Sequence, residues 1–155
     1  MEPPVLERVE RLLRERGVTF HVLRHQPVYT SDEAARVRGL PLASGAKALV
    51  CKEGEALVMF VLPGDRKLAS HLIRRSMGWR HLRFATPDEL AQVTGLTPGS
   101  VPPFGSLFGI PTLCDRHLAE NEFINFNAGD LSVSIVMRYE DYQGVEAPQL
   151  GSFTD

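Results

Sequence analysis

Residues 94 to 105 read TGLTPGSVPPFG, a stretch in which three prolines and three glycines crowd into twelve positions. Pro98, Pro102 and Pro103 fix φ and carry no N–H, while Gly95, Gly99 and Gly105 allow backbone shapes closed to other residues. Such a loop is stiff. Its amides at Gly99, Ser100 and Val101 can converge on a carbonyl or phosphate oxygen. The same residues also describe an ordinary connector, because Gly and Pro dominate most loops. Lys47 heads the apolar run KALVC directly after ASG. A lysine so placed can point into a cleft and hold an anionic or carbonyl group, or snorkel to water.

Residues 65 to 83, DRKLASHLIRRSMGWRHLR, hold six of the seventeen basic residues: Arg66, Lys67, Arg74, Arg75, Arg80 and Arg83. The spacing of Arg66, Lys67 and Arg74 against Leu68, Leu72 and Ile73 sends those charges to the solvent side of a helix, as a plain solvated face or as a patch for a few phosphates. Cys114 and His117 stand in CDRH, where a thiolate–imidazole pair would be nucleophilic. Cys114 also closes the apolar run GIPTL, the setting of a small buried hydrophobe. His21, His25, His71 and His81 lack zinc spacing, so neither a metal nor a cofactor is expected. No serine stands in GxSxG. A hydrolase built from this chain would let water attack, with the protein supplying position and electrostatics.

The elements that must carry these residues follow from pattern. Val5, Leu6, Val9, Leu12 and Leu13 give one apolar helical face, which Gly17 stops. TFHVLRH (19–25) reads as a strand. Thr30 with Glu33 forms a capping-box pattern for a helix reaching Arg38. AKALVCK and EALVMFVLP read as two strands joined at EG. Asp65 caps a helix over 66–77 that Gly78 ends, HLRF is a short strand, and TPDEL starts a helix that ends at Gly95. Strand-like runs follow at 106–108, 112–115, 121–126 and 131–136. The tail, 144–155, packs as an extended arm or frays. There is no strict βαβ alternation and no GxGxxG or GxxxxGK[ST], which favours α+β over a doubly wound sheet.

The 155 residues suffice for one domain, 1–155, able to bury about 70% of its extended surface without staples. Net charge is −2 and the two cysteines, Cys51 and Cys114, form no CxxC. A general grip on duplex DNA is therefore not expected, whereas a local basic patch can hold a short single-stranded end. A reduced, cytoplasmic setting is expected, with no membrane span, since no apolar run reaches about 18 residues.

In order along the chain, GAKALV (45–50), LPGDRKL (62–68), TGLTPGSVPPFG (94–105), IPTLCD (110–115) and INFNAGDLSVSI (124–135) resemble the YbaK family. These are free-standing relatives of the editing domain of bacterial prolyl-tRNA synthetase. The likeness spans about residues 5 to 140. It implies a curled, mixed β-sheet forming a pseudo-barrel with helices packed outside. It implies a trans-editing hydrolase that deacylates mischarged aminoacyl-tRNA at the 3′-terminal adenosine, correcting small side chains that a synthetase pocket cannot reject by binding alone. Its partners would be the acceptor end of tRNA and a synthetase.

Carried over residue by residue, the resemblance puts the family's important lysine at Lys47, beside the ester or the terminal phosphate. The amide loop falls at Gly99, Ser100 and Val101, continuing to Pro102 and Pro103. Asn127, Ala128 and Gly129 would shape the amino-acid pocket, and Tyr29 and Thr30, in HQPVYTSDEAA, would wall its entrance. Arg66, Lys67, Arg74 and Arg75 would meet tRNA. Ala48 departs from the Lys-Asn of the alanine-clearing branch and from the Lys-Thr of the cysteine-clearing branch, and Asn127 stands where the alanine branch has a histidine. A small or medium uncharged amino acid is the expected substrate, since Lys47 has no acidic neighbour in sequence. Two rival functions are a non-catalytic module that binds tRNA ends or a synthetase, and a thiol enzyme using Cys114 and His117.

Overall fold

The computed structural model describes residues 3–155. Helix α1 (Val5–Glu15) buries Val5, Val9 and Leu13, spaced four apart along one face. It ends where the Val18 amide donates to Leu13 O and Gly17 turns left-handed. β1 (Phe20–Arg24) pairs antiparallel with β7 (Val133–Arg138), and β7 with β6 (Phe123–Asp130), giving a three-stranded sheet in the order β1-β7-β6.

A second sheet has five strands. β2 (Ala46–Glu53) and β3 (Ala56–Pro63) form a hairpin, and β4 (Leu82–Phe84) adds antiparallel to β2 at the edge. β5 (Thr112–Asp115) lies parallel to β3, and β8 (Gln149–Gly151) parallel to β5. Among the described residues, one isolated parallel bridge, Gly45 to Asn125, joins the two sheets.

β3 explains why this arrangement needs two cores. Its successive side chains point to opposite faces, and both faces are buried, so it reads as an unbroken apolar run rather than an alternating one. Met59 and Val61 face a core shared with α1, Ile124, Phe126 and Ile135. Phe60 and Leu62 face a second core with Cys51, Ile73, Leu113 and Phe153, covered by α3 (Ser70–Met77). Helices α2 (Ser31–Arg38), α4 (Pro87–Thr94) and α5 (Tyr139–Glu146) complete the α+β fold.

The fold is α+β with a mixed strand set, as expected, but the curled sheet is divided in two and does not close. Four local readings change. Helix α3 begins at Ser70, so Arg66 and Lys67 are not helical. The reason is tertiary: Leu68 bridges Thr154, and the Ala69 amide donates to Phe153 O. Residues 106–108 belong to a 3₁₀ turn, Gly105–Phe108, whose entry is fixed by the Gly105 amide donating to Thr112 Oγ1. The strands expected at 121–126 and 131–136 begin about two residues later, as β6 and β7. Finally, a helix α5 forms over 139–146, reaching into the tail expected from 144 to be an extended arm or to fray, and the arm beyond it packs: Phe153 and Thr154 are buried.

Candidate functional site

Where the two sheets meet, beside the start of α2, a cavity of about 210 Å³ opens. Its walls are the first half of β2 (Ala46, Lys47, Ala48 and Leu49), the turn before α2 (Val28, Tyr29 and Thr30), the loop residues Gly99 and Val101, and Asn125 and Asn127 of β6. Tyr29 stands at this cavity with 71% of its surface exposed. The Thr30 hydroxyl accepts from the Glu33 amide at 3.1 Å, capping α2.

Arg38, at the last turn of α2, is the organising residue. On β6 the sequence Ile-Asn-Phe-Asn-Ala alternates, so Asn125 and Asn127 share one face while Ile124, Phe126 and Ala128 face the core. Ser134 lies directly across from Asn127 on β7. Arg38 spans all three. Its Nε donates to Ser134 Oγ at 2.7 Å, Nη1 to Asn125 Oδ1 at 2.8 Å, and Nη2 to Asn127 Oδ1 at 2.7 Å. The two asparagines pass this order onward. Asn125 Nδ2 donates to Ser44 Oγ at 2.8 Å, and Asn127 Nδ2 donates to Gly99 O at 2.7 Å. His25 adds a 2.7 Å contact between Nε2 and Ser134 Oγ. Burial pushes the Arg38 guanidinium down to about 10, and among the described residues no carboxylate is its partner.

The Gly/Pro loop is tied down from behind. Besides Asn127 on Gly99 O, the Gly129 amide donates to Ser100 O at 2.8 Å. Tyr142, buried on α5, donates its hydroxyl to Pro103 O at 2.6 Å. Phe104 stacks edge-on against Phe126 and Tyr142, at 5.6 and 5.3 Å. Gly99 takes a positive φ of 87°, which only glycine adopts at low cost. The Ser100 amide and hydroxyl both donate to Thr97 O. Of the three amides expected to form a cradle, Ser100 is thus spent within the loop. The N–H groups of Gly99 and Val101 have no hydrogen-bond partner among the described residues.

Lys47 is the second residue of β2, paired across the hairpin with Leu62. Its ammonium makes no ion pair among the described residues. Burial holds its pKa below the ordinary lysine value, Lys67 lowers it further, and Asp65 acts in the opposite sense. Arg38 and Lys47 therefore bring two positive charges to a cavity whose lining contains no aspartate, glutamate or histidine. An occupant with a negative or developing negative oxygen is favoured there.

The remaining expected residues lie elsewhere. Pro102 and Pro103 are buried behind the loop, outside the cavity lining, and stiffen it rather than touch an occupant. Ala128 points into the core. Gly129 has a φ of 89°, and a Cβ there would stand 2.9 Å from Val5 Cβ, so it seats α1 instead of shaping the cavity. Arg66 donates to Asp155 O at 2.6 Å. Arg74 and Arg75 are exposed on α3, and Arg74 rims a separate cavity. Cys114 is buried, which pushes its thiol up to about 12, and His117 Nδ1 is engaged by Glu120 at 2.9 Å, so no thiolate–imidazole pair forms. Among the described residues no three His, Cys, Asp or Glu gather as metal ligands, and no helix is long and apolar enough to cross a membrane.

Comparison with known proteins bears on this geometry. Residues 25–145 match the family described as the aminoacyl-tRNA editing domain. The chain is 32% identical over 152 residues to the multifunctional Ser/Thr-tRNA deacylase ProXp-y of Escherichia coli, covering 95% of this chain and 91% of that protein. It is 32% identical over 102 residues to a proline–tRNA ligase of Trichlorobacter lovleyi, covering 60% of this chain but 18% of the ligase. A crystal structure of a candidate trans-editing enzyme for prolyl tRNA synthetase superposes with a TM-score of 0.84 at 24% identity, over 100% of this chain and 99% of that one, which establishes the shared fold.

Proposed function

The chain belongs to the aminoacyl-tRNA editing domain family, and from that premise we propose that it is a trans-editing deacylase acting as one unit, 1–155, in the cytoplasm. It hydrolyses the ester between a wrongly attached amino acid and the 3′-terminal ribose of tRNA. The observation that carries this reading is the cavity's charge: Arg38 and Lys47 face it with no acidic residue in the lining, beside two amides free to donate.

Water attacks the ester carbonyl, and the carbonyl oxygen becomes an oxyanion. The Val101 and Gly99 amides and the Lys47 ammonium stabilise that charge as it develops, in a site held rigid beforehand. The tetrahedral centre then collapses. The bond from carbon to ribose oxygen breaks, the proton released by the attacking water passes to that ribose oxygen to restore its hydroxyl, and the amino acid leaves as an acid. No side chain in the lining is a general base, so rate comes from placement and electrostatics. Tyr29, exposed at the mouth, offers a face on which the terminal base can stack. Lys67, close enough to act on the charge of Lys47, steers the phosphate beside that base. The two cations exclude lysyl and arginyl groups. The similarity to a Ser/Thr-tRNA deacylase makes seryl and threonyl esters the first candidates.

The test is hydrolysis of a panel of mischarged tRNAs, with seryl, threonyl, alanyl and cysteinyl esters, by wild type and Lys47→Ala. One or a few members should be cleared, and Lys47→Ala should lose at least about tenfold in kcat/KM, the effect of about 1.4 kcal/mol of lost stabilisation. Full activity in Lys47→Ala would remove the lysine from the mechanism. A silent panel would remove the deacylase.

A further inference from the structure

A second cavity, of about 410 Å³, lies on the outer face of the five-stranded sheet between α3 and β4. Its floor is apolar: Cys51 and Ile73 are buried there. Two aromatic rings border it. Trp79 is held edge-on against Phe60, with centroids 6.3 Å apart and planes at 82°. Phe84 is 61% exposed, on a strand that forms the sheet's edge. Its exposed ring is therefore open to an occupant of the cavity.

Three arginines rim the same cavity. Arg83 is committed to Glu89 through two bonds, of 2.7 and 2.9 Å. The guanidiniums of Arg74 and Arg80 have no ion-pair partner among the described residues. Flat rings beside free guanidiniums match an unpaired nucleic-acid strand, whose bases stack and whose phosphates carry charge. An acidic peptide would satisfy the arginines and leave the rings without a partner.

Position joins this cavity to the first. Lys47, Leu49 and Cys51 alternate onto one face of β2. Lys47 lines the first cavity and Cys51 the second, so they are about 13 Å apart along the strand. Stacked nucleotides rise about 3.4 Å each, so about four of them span that distance. Lys67, near enough to Lys47 to act on its charge, precedes Leu68 of the second cavity in sequence.

We infer that the α3–β4 cavity is a second RNA subsite, which seats an unpaired base against Trp79 and Phe84 and holds neighbouring phosphates on Arg74 and Arg80. It rests on the deacylase reading and extends it, by assigning a place to the single-stranded nucleotides that precede the esterified one.

Trp79 is the only tryptophan in the chain, so its fluorescence reports this cavity alone. Titration with a single-stranded pentaribonucleotide carrying no amino acid should quench it saturably. Phe84→Ala should weaken binding about tenfold, within the range for losing one stacked base. Arg74→Ala with Arg80→Ala should weaken it and flatten its salt dependence. With full-length mischarged tRNA the same variants should raise KM and keep kcat, while hydrolysis of a short aminoacyl-adenosine ester stays at the wild-type rate. Absence of quenching, equal affinity for an oligoglutamate peptide, or wild-type affinity in Phe84→Ala with unchanged circular dichroism would each overturn the subsite. Deacylation without quenching sinks this inference alone. Quenching by RNA with a silent deacylation panel supports the subsite and sinks the deacylase.

Discussion

Lys47 was legible as a cleft lysine because a cation heading an apolar strand is conspicuous. Arg38 was missed because it is one of many arginines and ends an unremarkable helix. A signal did exist. Asn125 and Asn127 stand two apart in an apolar strand, so both amides go to one face, and Asn125, which is buried there, needs partners. A buried donor with several N–H groups was required, and arginine supplies five. Lys47 carries a testable pH dependence. Its pKa is depressed in the folded protein, chiefly by burial and next by Lys67. The sign is fixed: the folded state holds this proton less tightly than the unfolded chain. The resulting penalty to stability is full below the folded pKa and is relieved as pH rises toward the free value of 10.5. With only three lysines in the chain, NMR of the side-chain Cε resonances resolves it. Its midpoint should lie below 10.5, kcat/KM should fall as pH passes that midpoint, and Lys67→Ala should move both upward. A midpoint unmoved or lowered by Lys67→Ala would contradict the charge arrangement. At pH 7, Lys47→Met should melt no lower than wild type.

At the scale of elements, the strongest local signals held. Thr86 and Glu89 make both halves of a capping box, and Thr30 caps α2. These are interactions within one turn, which sequence spacing encodes directly. What sequence did not show was decided by distant partners. The 66–69 segment gave up helix for bonds to the C-terminal arm, and α5 formed despite Gly144 because Tyr139 and Tyr142 bury against the core. That unforeseen helix matters to the site, since Tyr142 holds Pro103 O and thereby the loop carrying the Val101 amide. Tyr142→Phe keeps the ring stacked on Phe104 and removes the hydroxyl alone. It leaves a buried carbonyl unsatisfied, at a cost of about 1–3 kcal/mol. Denaturant unfolding should show that loss with an unchanged m-value. Kinetics should show a lower kcat with little change in KM, because a loosened loop weakens stabilisation of the transition state more than binding. An unchanged kcat in the destabilised variant would mean that the loop's placement does not depend on α5.

On the scale of the whole molecule, the chain's last residues decide how the second face is closed. Asp115 is fully buried, and its carboxylate accepts from the Phe153 amide at 2.9 Å, the Thr154 amide at 3.1 Å, the Thr154 hydroxyl at 2.9 Å and the His117 amide at 3.1 Å. Phe153 meets Phe60 at 5.3 Å, and Phe60 in turn props Trp79. Ending the chain after Gly151 removes three of those four donors and the buried ring together. A buried charge stripped of partners costs about 3–5 kcal/mol, and a lost phenylalanine side chain about as much, which is a large share of a stability of about 5–15 kcal/mol. The truncated protein should melt far below wild type, or not fold at 37 °C. Where it folds, at low temperature, the two faces should respond differently. The first cavity is built on Arg38, Asn125, Asn127 and the loop, whose bonds the truncation leaves in place. Hydrolysis of a short aminoacyl-adenosine ester should therefore persist. The Trp79 platform loses its support through Phe60, so affinity for full-length mischarged tRNA should fall with it. Equal loss on both substrates would mean that the faces are coupled through β2 and β3, and that the outer core holds the catalytic cavity in shape as well as the RNA surface.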